Sequence, residues 1–188
     1  MKKFIALLTI LFSTFSFSQE PAKTICYDID DFTDKKSLNA GSDIYYTDGG
    51  DMSSEGMLFI MSIREGKKKK DAKISRVSLI VSVYGMGGCV DEGSTLNVIF
   101  EDGSKTELVN WNDFDCEGTN YFNFSAQQIE MFKKSPIKAM RYTNKRSYKS
   151  ITVKDNISNE NKTFIQERLT EVDGLNDGSL VIGVCSDD

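Results

Sequence analysis

The 188-residue chain carries 23 basic and 28 acidic side chains and no histidine. The missing imidazole excludes Ser-His-Asp and Cys-His nucleophilic catalysis and every histidine metal site, and the acidic balance argues against general nucleic-acid or anionic-membrane binding. Its four cysteines include no Cys-x-x-Cys pair, so disulfides are expected over zinc ligation.

The chain opens as a secretory signal peptide. Lys2 and Lys3 form a basic start, Phe4 to Phe17 an apolar stretch, and Ser16-Phe17-Ser18 a small-x-small cleavage site. The apolar stretch is broken by Thr9, Ser13, Thr14 and Ser16, too short and too polar to anchor in a bilayer. Cleavage after Ser18 leaves residues 19–188 as a single domain, with 21 basic against 28 acidic side chains once Lys2 and Lys3 are removed, net −7. The expected address is periplasmic or extracellular, in a bacterial, Gram-negative setting, with no stable membrane anchor.

Residues 57–64 and 74–84 are rich in strand formers. Val77, Leu79, Val81 and Val83 alternate with Ser78, Ile80, Ser82 and Tyr84, the period of a half-buried strand. Between them Glu65-Gly66 and Lys67 to Lys70 read as a solvated loop. Gly85-Met86-Gly87-Gly88 matches no phosphate-loop pattern and reads as a turn.

Leu96, Val98 and Phe100 alternate on the next strand, Glu101-Asp102-Gly103 turns the chain, and Ser104 to Asn110 returns. A three-residue loop with Gly103 left-handed sets Leu96 opposite Leu108. Extending that register brings Cys89 opposite Asp115, and a single bulge at Gly93 would align Cys89 with Cys116. The expected disulfides are therefore Cys89–Cys116 and Cys26–Cys185, although spacing alone permits three connectivities.

Ser125-Ala126-Gln127-Gln128 is a capping box opening a helix near 126–134, with Ile129 and Phe132 buried and Pro136 at its end. Strands follow at 137–143 and 147–154 through Asn144-Lys145-Arg146. A second helix fits 160–172, stopped by Gly174, and 179–185 reads as a last strand. The expected fold class is α+β, predominantly antiparallel β, a single sheet or a two-sheet sandwich of about seven to eight strands with two short helices.

Three constellations could carry function. Asp113-Phe114-Asp115-Cys116-Glu117-Gly118 resembles the front half of an EF-hand loop, with oxygen ligands at Asp113, Asp115 and Glu117. The pattern fails at the twelfth position, Phe124, although Asp91 and Glu92 could complete a Ca²⁺ cage across the disulfide. Otherwise no cofactor is expected. The same four acids, Asp91, Glu92, Asp113 and Asp115, are the candidate catalytic pair of a small glycan hydrolase, with Trp111 stacking on a sugar. The segment 131–154 contains eight basic side chains and no acid. Within it Lys138, Arg141, Tyr142, Lys145, Arg146, Tyr148 and Lys149 form a candidate patch for an acidic protein or anionic glycan, against internal charge complementarity as the plainer account. The leading function is an exported, non-enzymatic binding or accessory domain, inhibitor- or immunity-like, whose partner is an envelope protein or glycan. The carboxylate hydrolase is the alternative.

Overall fold

The computed structural model describes residues 25–29, 32–34, 36–40, 44–47, 56–65, 74–85, 89–155 and 157–185. The expected signal peptide 1–18, the lysine run 67–70 and residues 86–88 of the expected turn lie outside the described residues. The chain is α+β and mostly antiparallel. Its strands are β1 (Cys26–Ile29), β2 (Lys36–Asn39), β3 (Ile44–Thr47), β4 (Gly56–Glu65), β5 (Ile74–Tyr84), β6 (Thr95–Phe100), β7 (Lys105–Val109), β8 (Thr119–Asn123), β9 (Ile137–Thr143) and β10 (Ser150–Val153). Helices α1 (Ala126–Lys134) and α2 (Asn159–Asp177) complete it. Among the described residues these strands make two four-stranded sheets, ordered β3-β4-β5-β8 and β10-β9-β6-β7, and a β1-β2 ribbon. Among the described residues ten strands stand where seven or eight were expected, because β1, β2, β3 and β8 are too short to show the period of two.

Alternation decides what each sheet buries. Met57, Phe59, Met61 and Ile63 of β4 and Val77, Leu79 and Val81 of β5 share one core cluster with Leu96, Val98 and Phe100 of β6. Met140 and Tyr142 of β9, Ile151 and Val153 of β10, and Phe122 of β8 belong to the same cluster. The Phe100 ring meets Phe132 of α1 edge-on at 5.0 Å; of the two α1 residues expected to be buried, Phe132 is, and Ile129 is partly buried against the core. Deleting such a ring, as in Phe122→Ala, costs about 3–5 kcal/mol.

The β6–β7 hairpin has the expected register, Leu96 opposite Leu108 and Val98 opposite Thr106. Gly103 has φ +83° and the Phe100 N–H bonds Ser104 O at 3.0 Å. Asp102 fixes the turn by accepting from Ser104 N–H at 2.9 Å and Ser104 Oγ at 2.6 Å. These bonds, with Lys134 beside it, lower the Asp102 carboxyl from its ordinary value to about 2. The Ser125 capping box is present in full.

Three boundaries differ from expectation. Helix α2 runs through Gly174, which stays helical, and ends at Gly178 with φ 81°. At Gly174 a Cβ would stand 3.0 Å from Leu180 Cβ, so that glycine provides room for the returning chain, whose Leu180 N–H bonds Gly174 O. Residues 179–185 are no strand. They meet the β1-β2 ribbon at one parallel bridge, Val184 to Tyr27, where Tyr27 N–H bonds Gly183 O and Cys185 N–H bonds Tyr27 O. Strand β10 begins at Ser150 because Tyr148, with φ 58°, turns the chain through the left-handed region.

Candidate functional site

The two disulfides join Cys89 to Cys116 and Cys26 to Cys185. Around Cys89–Cys116 three loops converge: 89–94 entering β6, 110–118 between β7 and β8, and 144–149 between β9 and β10. Val90 and Asp115 pair across the staple through reciprocal backbone bonds of 2.7 and 3.1 Å. The one-residue shift that aligns the cysteines is the expected bulge at Gly93: Gly93 N–H bonds Asn110 O and Asn110 N–H bonds Ser94 O, so two residues oppose one. Ser94 N–H bonds Asp91 O at 3.1 Å, and Gly93 takes φ +82°, a conformation glycine adopts without steric cost.

Asn144 builds the third loop onto the first. Its Nδ2 donates to Cys89 O at 3.0 Å, while its Oδ1 accepts from Arg146 N–H and Ser147 N–H at 2.9 and 3.1 Å. Its backbone bonds Lys149 O and Tyr148 N–H. Lys145 N–H adds a bond to Ser94 Oγ at 3.2 Å. The Lys145 side chain lies over Gly93, where a Cβ would meet it at 2.9 Å. Asn144 is buried, so leaving its side-chain amide unpaired is costly.

The surface so framed is aromatic and charged. Phe114 is about half exposed, and Tyr148 is 82% exposed. The Arg146 guanidinium lies 4.9 Å from the Phe114 ring centroid. The acidic loop and the basic segment therefore meet at this end of the molecule. Asp115 Oδ1 accepts from Glu117 N–H at 2.6 Å and Oδ2 from Thr119 N–H at 3.2 Å, which spends both oxygens on the turn. Gly118 belongs to that turn: it has φ +79°, and a Cβ there would stand 3.0 Å from Val83 O. Asp91 Oδ1 likewise accepts from Glu92 N–H. Asp113, Glu92 and Glu117 are exposed, and among the described residues no three acidic, cysteine or histidine side chains converge as a metal cage.

The other basic-segment residues scatter. Lys138 is exposed on β9, and Arg141, also exposed, donates from Nε to Thr152 Oγ1 at 3.0 Å. Lys133 pairs with Glu130 and Asp173, and Lys134 with Asp102, as internal complementarity requires. Tyr142, expected at the surface, is fully buried and donates its hydroxyl to Asn120 Oδ1 at 3.0 Å. Its place is dictated by strand parity: Met140 and Tyr142 face inward with Val98 and Leu96 opposite them. Burial raises the Tyr142 phenol above its ordinary value.

A groove of about 520 Å³ lies between α1, α2 and the start of β5. Val77, Phe124, Ile129, Leu169 and Val172 line it with Arg76, Glu130, Lys133 and Asp173 on its polar side. None of Asp91, Glu92, Asp113 and Asp115 reaches it. Phe114 and Asn144 are the site residues that sequence reasoning passed over. The signal for Asn144 was present, an Asn between two predicted strands, where its side chain can cap a turn. Phe114 carried none.

No protein-family model, curated protein or solved structure matches the chain. Among the described residues no helix is long and apolar enough to cross a membrane.

Proposed function

We propose that the protein is an exported, non-catalytic binding domain whose recognition surface is the loop-built end around Cys89–Cys116. One observation carries the reading. Tyr148 holds a left-handed backbone with its ring in solvent, in a loop that Asn144 ties down with hydrogen bonds on both sides. A bulky residue in that conformation is uncommon and costs strain, which collects at ligand-contacting positions. Tyr148, Phe114 and Arg146 are the residue types that dominate binding energy at interfaces, and rigid aromatic side chains lose little entropy when they bind.

Two supports favour export. The predicted signal peptide supplies the address, and disulfides persist in oxidising compartments. The partner is an envelope or extracellular macromolecule engaged in the manner of an inhibitor or immunity protein. Its surface complements Arg146, Lys145 and Lys149 with acids, while Asp113 and Glu92 fix orientation by charge.

The test is paired capture from an envelope extract of the producing cells. Wild type and Arg146→Ala are immobilised at equal density after matching their unfolding midpoints. A macromolecule retained by wild type and lost with Arg146→Ala supports the reading. Identical recovered material on both overturns it.

A further inference from the structure

The outer face of the β3-β4-β5-β8 sheet carries a second, chemically different surface. Beyond Val109 the chain continues as Asn110, which bridges to Phe122, and Trp111, whose N–H bonds Tyr121 O at 3.2 Å. That places Trp111 beside Tyr121 on the outer face, ring centroids 5.8 Å apart and planes inclined by 54°. Register then continues the row: Tyr121 opposes Ile80, and Ile80 opposes Ile60. The result is one cross-strand line, Trp111-Tyr121-Ile80-Ile60.

Uncharged side chains, polar except for Leu58 opposite Ser82, flank that line on both sides. Thr119 opposes Ser82 in one neighbouring row, their hydroxyls 3.5 Å apart. In the other, Asn123 opposes Ser78, whose hydroxyl donates to Asn123 Oδ1 at 2.9 Å, and Ser78 opposes Ser62. Among the described residues no charged side chain stands in these three rows, and Arg64 opposite Arg76 forms the next one.

We infer that this face binds a neutral hexopyranosyl glycan. The C–H face of a sugar ring is apolar and its rim is hydroxylated, which suits an aromatic platform edged with Ser, Thr and Asn. Two rings inclined to each other cup a sugar or follow a twisted chain better than a flat ribbon. The site is separate from the loop-end surface, since Phe114, Arg146 and Tyr148 take no part in it.

Trp111 is the chain's sole tryptophan, so its emission reports this site alone. The exported, oxidised protein is titrated with maltohexaose, cellohexaose and mannohexaose while Trp emission is followed. A saturable shift with at least one of the three is expected. Calorimetry should show the affinity falling at least about tenfold in Trp111→Ala and in Tyr121→Ala, and unchanged in Arg146→Ala. Trp111→Ala removes a half-exposed ring, so it remains folded and keeps the test decisive if Tyr121→Ala does not. No response to any of the three sugars, with circular dichroism showing a folded protein, overturns the assignment. So does a response to polygalacturonate alone that Arg146→Ala abolishes. A concentration-dependent dimer that Trp111→Ala dissociates, with no sugar response, would assign the face to a second copy and overturn it equally.

Discussion

The Arg146 guanidinium stands over the Phe114 ring, 4.9 Å from its centroid, and so joins the basic segment to the acidic loop in one contact. Neither partner is buried, so the pair is worth about 0.5–1 kcal/mol. A double-mutant cycle on Arg146→Ala and Phe114→Ala, read by urea unfolding, should return a coupling of that size. A coupling of zero would leave the two loops held by Asn144 and the disulfide alone.

Cys89–Cys116 closes a loop of sequence separation 27, and Cys26–Cys185 one of 159. In the chain-entropy model these are worth roughly 3–4 and about 5 kcal/mol. Replacing Cys89 and Cys116 together by Ser should lower stability by up to the first amount. It should also raise amide exchange at Val90, Asp115 and Asn144 while leaving the β4–β5 pairing protected. Uniform loss of protection across both sheets would contradict a local role for this staple.

Tyr142→Phe removes the donor to Asn120 Oδ1 in the core. Leaving that acceptor unpaired should cost about 1–3 kcal/mol, measured as a shift in the urea midpoint. Because burial raises the phenol, Tyr142 should ionise above the ordinary tyrosine range in an alkaline absorbance titration. Loss of a step above that range in Tyr142→Phe checks the assignment.

Asp102 supplies a pH test with a definite sign. Its folded carboxyl is lowered to about 2, below the unfolded value of about 3.9. Its contribution is therefore fully present above about pH 4 and is lost as pH falls through about 2. The stability gap between wild type and Asp102→Asn should be constant from neutral pH down to that upper limit, then narrow. A gap that widens on acidification would contradict the Ser104 and Lys134 bonds as its origin.

Much of the scaffold was legible because its signals are local. Gly103 after Glu101-Asp102 specified the hairpin loop, Ser125 with Gln128 specified the α1 start, and alternation across 74–84 specified β5. The β6–β7 register, with the one-residue bulge at Gly93, leads on to the pairing of Cys89 with Cys116. What failed depends on tertiary context. Gly174 looks like a helix stop, but the Leu180 approach gives it another use. Tyr142 sits in a run of exposed bases, and only the pairing of β9 with β6 turns it inward. The site itself was half visible: Asp113 to Gly118 and Lys145 to Lys149 were each singled out, yet separately. Their meeting depends on Asn144, a long-range bond to Cys89 O across 55 residues.

The central claim is that the Tyr148 ring is kept in solvent for recognition at a cost in backbone strain. Glycine accepts φ 58° without that cost, so Tyr148→Gly should gain about 1 kcal/mol of stability by urea unfolding. The same variant should lose the macromolecule that wild type captures from envelope extract. A variant that is less stable, or one that is more stable yet captures as well as wild type, contradicts the account.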